Sequence, residues 1–390
     1  MVLSHLNNQE KLHSFSWLSA NTNSPLVQLF TDTYDAFLCK KLTPQKDRIL
    51  SEFPTRDDYL APKNPIVLCH GLSGFDRLIL VPSLFQLTQM ISNFILGNNS
   101  DYFTEYDEDG RNKGILEVEY WIGVKERLEA KGCTVITSKV ASFGSIEERA
   151  VTLNAFLEHE TKKLKETAKK GQVYNTDDVD SEASFRENEP IRVNLIAHSM
   201  GGLDCRYLIS RIPNKSYKVL SLTTVSTPHR GSEMADYVVA QFEDLKAAAP
   251  IDASKQVLPP SVYELTTQYM SYFNRITPDD PEVSYYSYGS WFKPKWYSAF
   301  VVPWKIIYNA TNGEPNDGMV TVKSSKWGKY MGTLTNIDHL DQINWRNKLQ
   351  KDIGKLLENA NRSAGKSVKP EIDILNFYLQ IADNLARKGF

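Results

Sequence analysis

Two hydrophobic periods divide this chain of 390 residues. Short, nearly continuous apolar runs occur within Pro65–Gly74 (PIVLCHGLSG), Cys133–Val140 (CTVITSKV), Arg192–Ala197 (RVNLIA) and Val219–Val225 (VLSLTTV). Runs of this kind predict strands buried on both faces, as in a parallel sheet. Between them the apolar spacing lengthens to the helical period. Glu117–Gly132 predicts a helix that stops at Gly132, and Leu203–Ile212 predicts another. Ser145 precedes Glu148 by the spacing of a capping box, ahead of a stripe formed by Ala150, Leu153, Leu157 and Leu164. In Glu371–Arg387, Ile374, Phe377, Ile381 and Leu385 share one helical face that should pack on the sheet. Strands alternating with helices predict an α/β fold with a mostly parallel central sheet flanked by helices.

The most apolar stretch, Leu78–Leu96, is interrupted by Pro82, Ser83, Gln86, Thr88, Gln89, Ser92 and Asn93. It falls short of the ~18 uninterrupted apolar residues of a membrane span and reads as an amphipathic helix. Thr176–Glu189 is acidic and polar and reads as a surface loop, and Asn361–Pro370 as a linker. The lysines that end the Ser145 helix (Lys162, Lys163, Lys165, Lys169, Lys170) read as a solvated face that complements the helix C-terminus.

Charge narrows the choice of partners. With 45 basic and 47 acidic side chains the net charge is −2, which gives no electrostatic reason to expect a nucleic acid. Cys39, Cys69, Cys133 and Cys205 lack metal-site or C-x-x-C spacing and read as reduced, buried thiols. The N-terminus has no cationic segment followed by an apolar core, and its first arginine is Arg48, so neither a secretory signal nor an Arg-rich presequence is expected.

The chemistry concentrates at Ala197-His198-Ser199-Met200-Gly201-Gly202, between a predicted strand and a predicted helix. That is the context of a nucleophile elbow, where a serine on a strained turn needs small neighbours two residues before and after it. Ala197 takes the first of those places, where glycine is usual. His70-Gly71-Leu72 ends the first buried strand. Its loop suits an oxyanion donor, the Leu72 N–H, to accompany the N–H of Met200. In this fold the order is serine, acid, histidine. His229, one strand after Ser199, comes too early to leave room for an acid and reads as a structural histidine, whereas His339 comes late. Asp317 in Asn316-Asp317-Gly318 lies between, with Glu314 as the reserve acid; Asn-Asp-Gly is equally a turn signal.

Taken together, PIVLCHGLSGFD, EYWIGV, VNLIAHSMGGLDCRY, TTVSTPHRGSEMADYV, NDGMV and DHLDQIN resemble, in the same order, the true lipases of the α/β-hydrolase fold. Both the secreted bacterial triacylglycerol lipases and the yeast-type mitochondrial triacylglycerol lipase are similar. The resemblance implies a triad of Ser199, Asp317 and His339 and oxyanion donors Leu72 and Met200. It implies hydrolysis of long-chain acylglycerols at an oil or membrane surface, with peripheral membrane contact, no cofactor and no nucleic acid. A phospholipase or thioesterase with the same triad, and a non-catalytic lipid- or partner-binding relative, are the alternatives. The implied compartment is intracellular: the mitochondrion, or otherwise the cytoplasm or a lipid-droplet surface.

Residues 1–60 form an extension packed on or preceding the core, and 61–390 the hydrolase domain. Insertions are expected at about 78–114 and 171–189, and a helical cap or lid at about 232–275, with Tyr237–Leu245 and Tyr263–Tyr272 as its candidate helices. The secreted relatives hold a structural calcium beside the histidine, and Asp341 matches one of its ligands. The stretch that should bring a second carboxylate, Val283–Gly313, contains no Asp or Glu, and Asp279, Asp280 and Glu282 lie upstream of it. No metal is therefore expected.

Overall fold

The computed structural model describes residues 48–54, 56–72, 120–141, 143–169, 189–248, 258–294, 300–345 and 373–390. They belong to one unit running from Asp47 to Phe390. Most of the 1–60 extension, the Leu78–Leu96 segment, both insertions apart from Glu189, and the Asn361–Pro370 linker lie outside them.

Among the described residues seven parallel strands make the sheet: β1 (Ile49–Leu50), β2 (Ile66–Cys69), β3 (Val135–Thr137), β4 (Ile191–His198), β5 (Tyr217–Val225), β6 (Ser284–Trp291) and β7 (Lys329–Thr335). Their spatial order is β1-β7-β6-β5-β4-β2-β3. The helices among the described residues are α1 (Val124–Glu129), α2 (Ile146–Lys169), α3 (Gly201–Arg211), α4 (Glu233–Ala248), α5 (Pro260–Glu264), α6 (Thr267–Ile276), α7 (Val301–Ala310), α8 (Val322–Ser325) and α9 (Ile374–Ala386). This is the α/β-hydrolase fold, with α4 to α6 inserted between β5 and β6 where the cap was expected.

Two apolar layers hold helices to the sheet, and the alternation of strand side chains sorts residues between them. Ile66 and Leu68 of β2 join Val124 and Leu128 of α1 and Phe377, Tyr378 and Ile381 of α9 on one face. Val67 and Cys69 join Ala150, Leu153 and Leu157 of α2 and Cys205 and Leu208 of α3 on the other. The capping box at the start of α2 forms reciprocally. Ser145 N donates to Glu148 Oε2 at 2.8 Å, and Glu148 N donates to Ser145 Oγ at 3.1 Å. Asp373 caps α9 by accepting from Leu375 N and Asn376 N.

One expectation changes, and the sheet gains strands that the apolar pattern does not mark. The helix expected over Glu117–Gly132 begins only at Val124, because Gly123 takes a left-handed conformation (φ 71°) and Tyr120 and Trp121 turn inward instead. Residues 49–50, within the extension, supply an edge strand paired with Thr333 and Leu334. β6 and β7 complete the sheet although their sequences, SYYSYGSW and KYMGTLT, carry few aliphatic side chains.

Phe377 anchors the C-terminal helix. It is fully buried, with its ring centroid 5.0 Å from that of Tyr288 and 5.1 Å from that of Phe53. Phe377→Ala should destabilise the fold by about 3–5 kcal/mol, read as a lower urea midpoint at an unchanged m-value.

Candidate active site

The carboxyl ends of β2, β4, β6 and β7 lie along one edge of the sheet, and the predicted residues meet there. β4 ends at His198 and α3 begins at Gly201, so the chain reverses within two residues. Ser199 sits on that reversal with φ 55°, in the left-handed region that costs a non-glycine residue on the order of 1–3 kcal/mol. Three hydrogen bonds hold it: Ser199 N donates to Val225 O (3.0 Å), and Gly202 N (3.1 Å) and Thr227 Oγ1 (2.7 Å) donate to Ser199 O. A side chain at Gly201 would meet His70 O at 2.6 Å and Cys69 O at 2.8 Å, so only glycine lets the helix approach β2 this closely. The same closeness governs Gly71, where a Cβ would lie 2.7 Å from Ser199 Cβ.

His339 follows β7. Its Nε2 lies 2.9 Å from Ser199 Oγ and its Nδ1 2.8 Å from Asp317 Oδ2. Since the carboxylate only accepts, the proton of the neutral ring sits on Nδ1, and Nε2 is left to accept from the serine hydroxyl. Asp317 is fully buried. Burial pushes its carboxyl up, but the His339 ring and the amides of Val320 and Met319 pull it further the other way, and it rests below the usual carboxylate value. Its Oδ1 accepts from Met319 N (3.0 Å) and Val320 N (2.8 Å). Glu314, the reserve acid, is half-buried in the preceding turn and makes none of these contacts.

Leu72 and Met200 are brought into one apolar cluster with Ile146, Leu203, Met270 and Phe273. The turn that carries Leu72 is fixed by a residue that sequence reasoning did not find. Arg149, wholly buried in α2, donates to His70 O (3.1 Å), Gly71 O (3.0 Å) and Ala141 O (2.6 Å), and pairs with Asp204 of α3 (2.7 Å). An arginine one position past a capping box carries no pattern that separates it from a solvated one. His70 adds a further tie. Its Nδ1–H donates to Gly71 O (2.8 Å) while Nε2 accepts from Val140 N (3.1 Å), and burial, then Arg149, lower its pKa to about 4.

His229 stands elsewhere. It is fully buried, stacked on Trp327 (5.1 Å between centroids) and bonded through Nε2 to Thr224 Oγ1 (3.0 Å). Burial, followed by the charges of Arg206 and Arg230, holds its pKa well below the ordinary value, so it is neutral and structural.

The carboxylates beside His339 are engaged within their own turn. Asp338 Oδ1 accepts from Leu340 N (3.0 Å) and Asp341 N (2.9 Å), and Asp341 Oδ2 accepts from Asp338 N (3.3 Å), so both carboxylates close the turn that carries His339. Asp279 is engaged with Trp327 Nε1 and Asp280 with Glu282 N. Calcium takes about six to eight oxygens, usually from more than one carboxylate directed at it. These residues do not fit it. Among the described residues, no group of three or more His, Cys, Asp or Glu side chains is placed to hold a metal.

The chain matches no family model. It is 54% identical over 347 residues to triacylglycerol lipase 2 of Saccharomyces cerevisiae, covering 88% of this chain and 98% of that protein. It is 26% identical over 328 residues to a triacylglycerol lipase of Pseudomonas fragi, covering 74% of this chain and 90% of that one. The solved lipase of Staphylococcus hyicus aligns at 18% identity with a TM-score of 0.48, over 86% of this chain and 98% of that one. An α/β-hydrolase with a serine, histidine and aspartate in hydrogen-bonded line is thus joined to a long, near-complete match. The chain belongs to the triacylglycerol lipase family.

Two outcomes follow from the geometry. His229→Ala should lower stability by about 2–4 kcal/mol through lost packing and hydrogen bonding, and leave turnover per folded molecule within several-fold of wild type. Loss of turnover in a folded protein would contradict this. Treatment with EDTA should leave the melting temperature and ester hydrolysis unchanged. A fall on chelation that calcium restores would reveal ligands outside this turn.

Proposed function

We propose that this protein hydrolyses long-chain acylglycerols through an acyl-enzyme on Ser199. The observation that carries the reading is the line from Ser199 Oγ through His339 to Asp317, at 2.9 and 2.8 Å, on the carboxyl edge of the sheet. In the proposed cycle His339 Nε2 takes the Ser199 proton as Oγ bonds to the ester carbonyl carbon. The N–H groups of Leu72 and Met200 receive the developing oxyanion. His339 returns the proton to the leaving alkoxide, which departs as the alcohol. Water, deprotonated by the same ring, then releases the fatty acid and regenerates the serine. Asp317 keeps the ring in the tautomer this requires and stabilises the imidazolium formed midway.

The cap supports an apolar substrate. Met270 and Phe273 on one face of α6 pack with Leu72 and Met200, while Tyr272 on the other is exposed. A helix with its apolar side against the reacting centre suits a lid that exchanges protein contacts for acyl chains at a lipid surface. Among the described residues no helix is long and apolar enough to cross a membrane, and the proposed contact with lipid is peripheral. The setting we infer is intracellular, with the mitochondrion as the first compartment to test, a reading supported by resemblance of the sequence motifs.

Ser199→Ala should fold normally and lose ester hydrolysis by about three orders of magnitude or more, measured on p-nitrophenyl esters of graded chain length with triolein and phosphatidylcholine alongside. Asp317→Asn should lose most of kcat, whereas Glu314→Gln should not; the reverse result would move the acid role to Glu314. Faster turnover of phosphatidylcholine than of triolein would replace the acylglycerol with a phospholipid as substrate.

A further inference from the structure

Gln342 is a fully buried amide three residues after His339, in the 3-10 turn Asp341–Ile343. Its Nε2 donates to Ser290 Oγ at 2.6 Å and to Asp317 Oδ2 at 2.9 Å. Its own main chain is pinned, since Tyr378 of α9 donates its hydroxyl to Gln342 O at 3.1 Å. Asn344 Nδ2, two residues on, donates to Ile122 O at 2.9 Å. The side chain is therefore held in place rather than merely enclosed.

The other end of the amide faces His198. Tyr120 OH accepts from Gly71 N (3.0 Å), so its proton goes to His198 Nδ1 (2.7 Å). The neutral ring then carries its hydrogen on Nε2. That atom and Gln342 Oε1 are both buried without a partner at standard hydrogen-bond distance. Donors thus run from Gly71 N–H through Tyr120 to His198 Nδ1, and separately from Gln342 Nε2 to Asp317 Oδ2. A side-chain amide can accept through its oxygen while its nitrogen donates to a carboxylate.

We propose that Gln342 is a positioning residue, whose amide fixes Asp317 Oδ2 against His339 Nδ1. Without it Oδ2 keeps only His339 and the longer contact from Ser290 Oγ at 3.3 Å. The carboxylate can then rotate about the Oδ1 that Met319 and Val320 hold. The proposal rests on the acid role given to Asp317 above.

A double-mutant cycle tests it. Kcat and KM on a soluble short-chain ester, with melting temperature as the folding control, are compared for wild type, Gln342→Met, Asp317→Asn and the double variant. Gln342→Met should cost on the order of tenfold in kcat, as expected for a hydrogen bond to a charged group, with KM changed less than about twofold. In the Asp317→Asn background the same substitution should cost less than about twofold, because the group through which it acts is gone. An equal cost in both backgrounds is the signature of packing alone and overturns the proposal, as does wild-type kcat in folded Gln342→Met. If Gln342→Met does not fold, Gln342→Glu keeps the shape but removes the donor at alkaline pH, where a proton shared between carboxyls is lost. It should then lose kcat at least as strongly, and wild-type kcat there also overturns the proposal. Undiminished activity in Asp317→Asn alone would remove the acid assignment itself, a failure distinct from an active Gln342→Met.

Discussion

The approach of the β4–α3 turn to the end of β2 is the constraint on which the site depends. Ser199 is held at a backbone angle that its side chain disfavours, and contacts with β2 and β5 keep it there. A larger residue at Gly71 or Gly201 would push these segments apart, and with them the serine from the amides beside it. The strain is local, a few kcal/mol at most, but it points the hydroxyl out of the sheet edge toward His339 instead of along the strand.

Buried charge reinforces that approach. Arg149 gathers the carbonyls of His70, Gly71 and Ala141 around one guanidinium and is balanced by Asp204 from the elbow helix. Removing either partner of such a pair leaves an uncompensated charge, a loss of about 3–5 kcal/mol. The interaction adds more to geometry than to net stability, since desolvation of the two ions offsets much of their attraction. What it secures is the direction of the turn. With its carbonyls committed to Arg149, the peptide that follows Gly71 has its orientation set.

Legibility in the sequence tracked how local each feature is. The buried strands β2, β4 and β5 announce themselves as aliphatic runs, and the elbow is contained within six consecutive residues. β6 and β7 were not readable as strands, because tyrosine, serine, threonine and glycine dominate them and their burial comes from α9 and α8 rather than from their own hydrophobicity. Tyr120 and Trp121 read as helical until Gly123 is seen in its left-handed conformation. Chain order brought Asp317 and His339 forward, but Asn-Asp-Gly alone is a turn signal. Nothing near Arg149 or Gln342 marks them, since their partners lie far away along the chain: Gly71 is 78 residues from Arg149, and Asp317 is 25 from Gln342.

The groups proposed to react come from different parts of the sheet. Ser199 and the Gly71 turn belong to β4 and β2, while Asp317 and His339 follow β6 and β7, next to the edge closed by β1 and backed by α9. Ser199 and His339, its proposed base, are 140 residues apart and share no element. Cooperative opening of a region that includes α9 and the edge strands would leave a formed elbow with no base beside it. Such a partly open molecule would still present a serine in its strained turn yet cleave nothing, so the hydrolytic act reports on the integrity of the whole sheet rather than of the elbow alone.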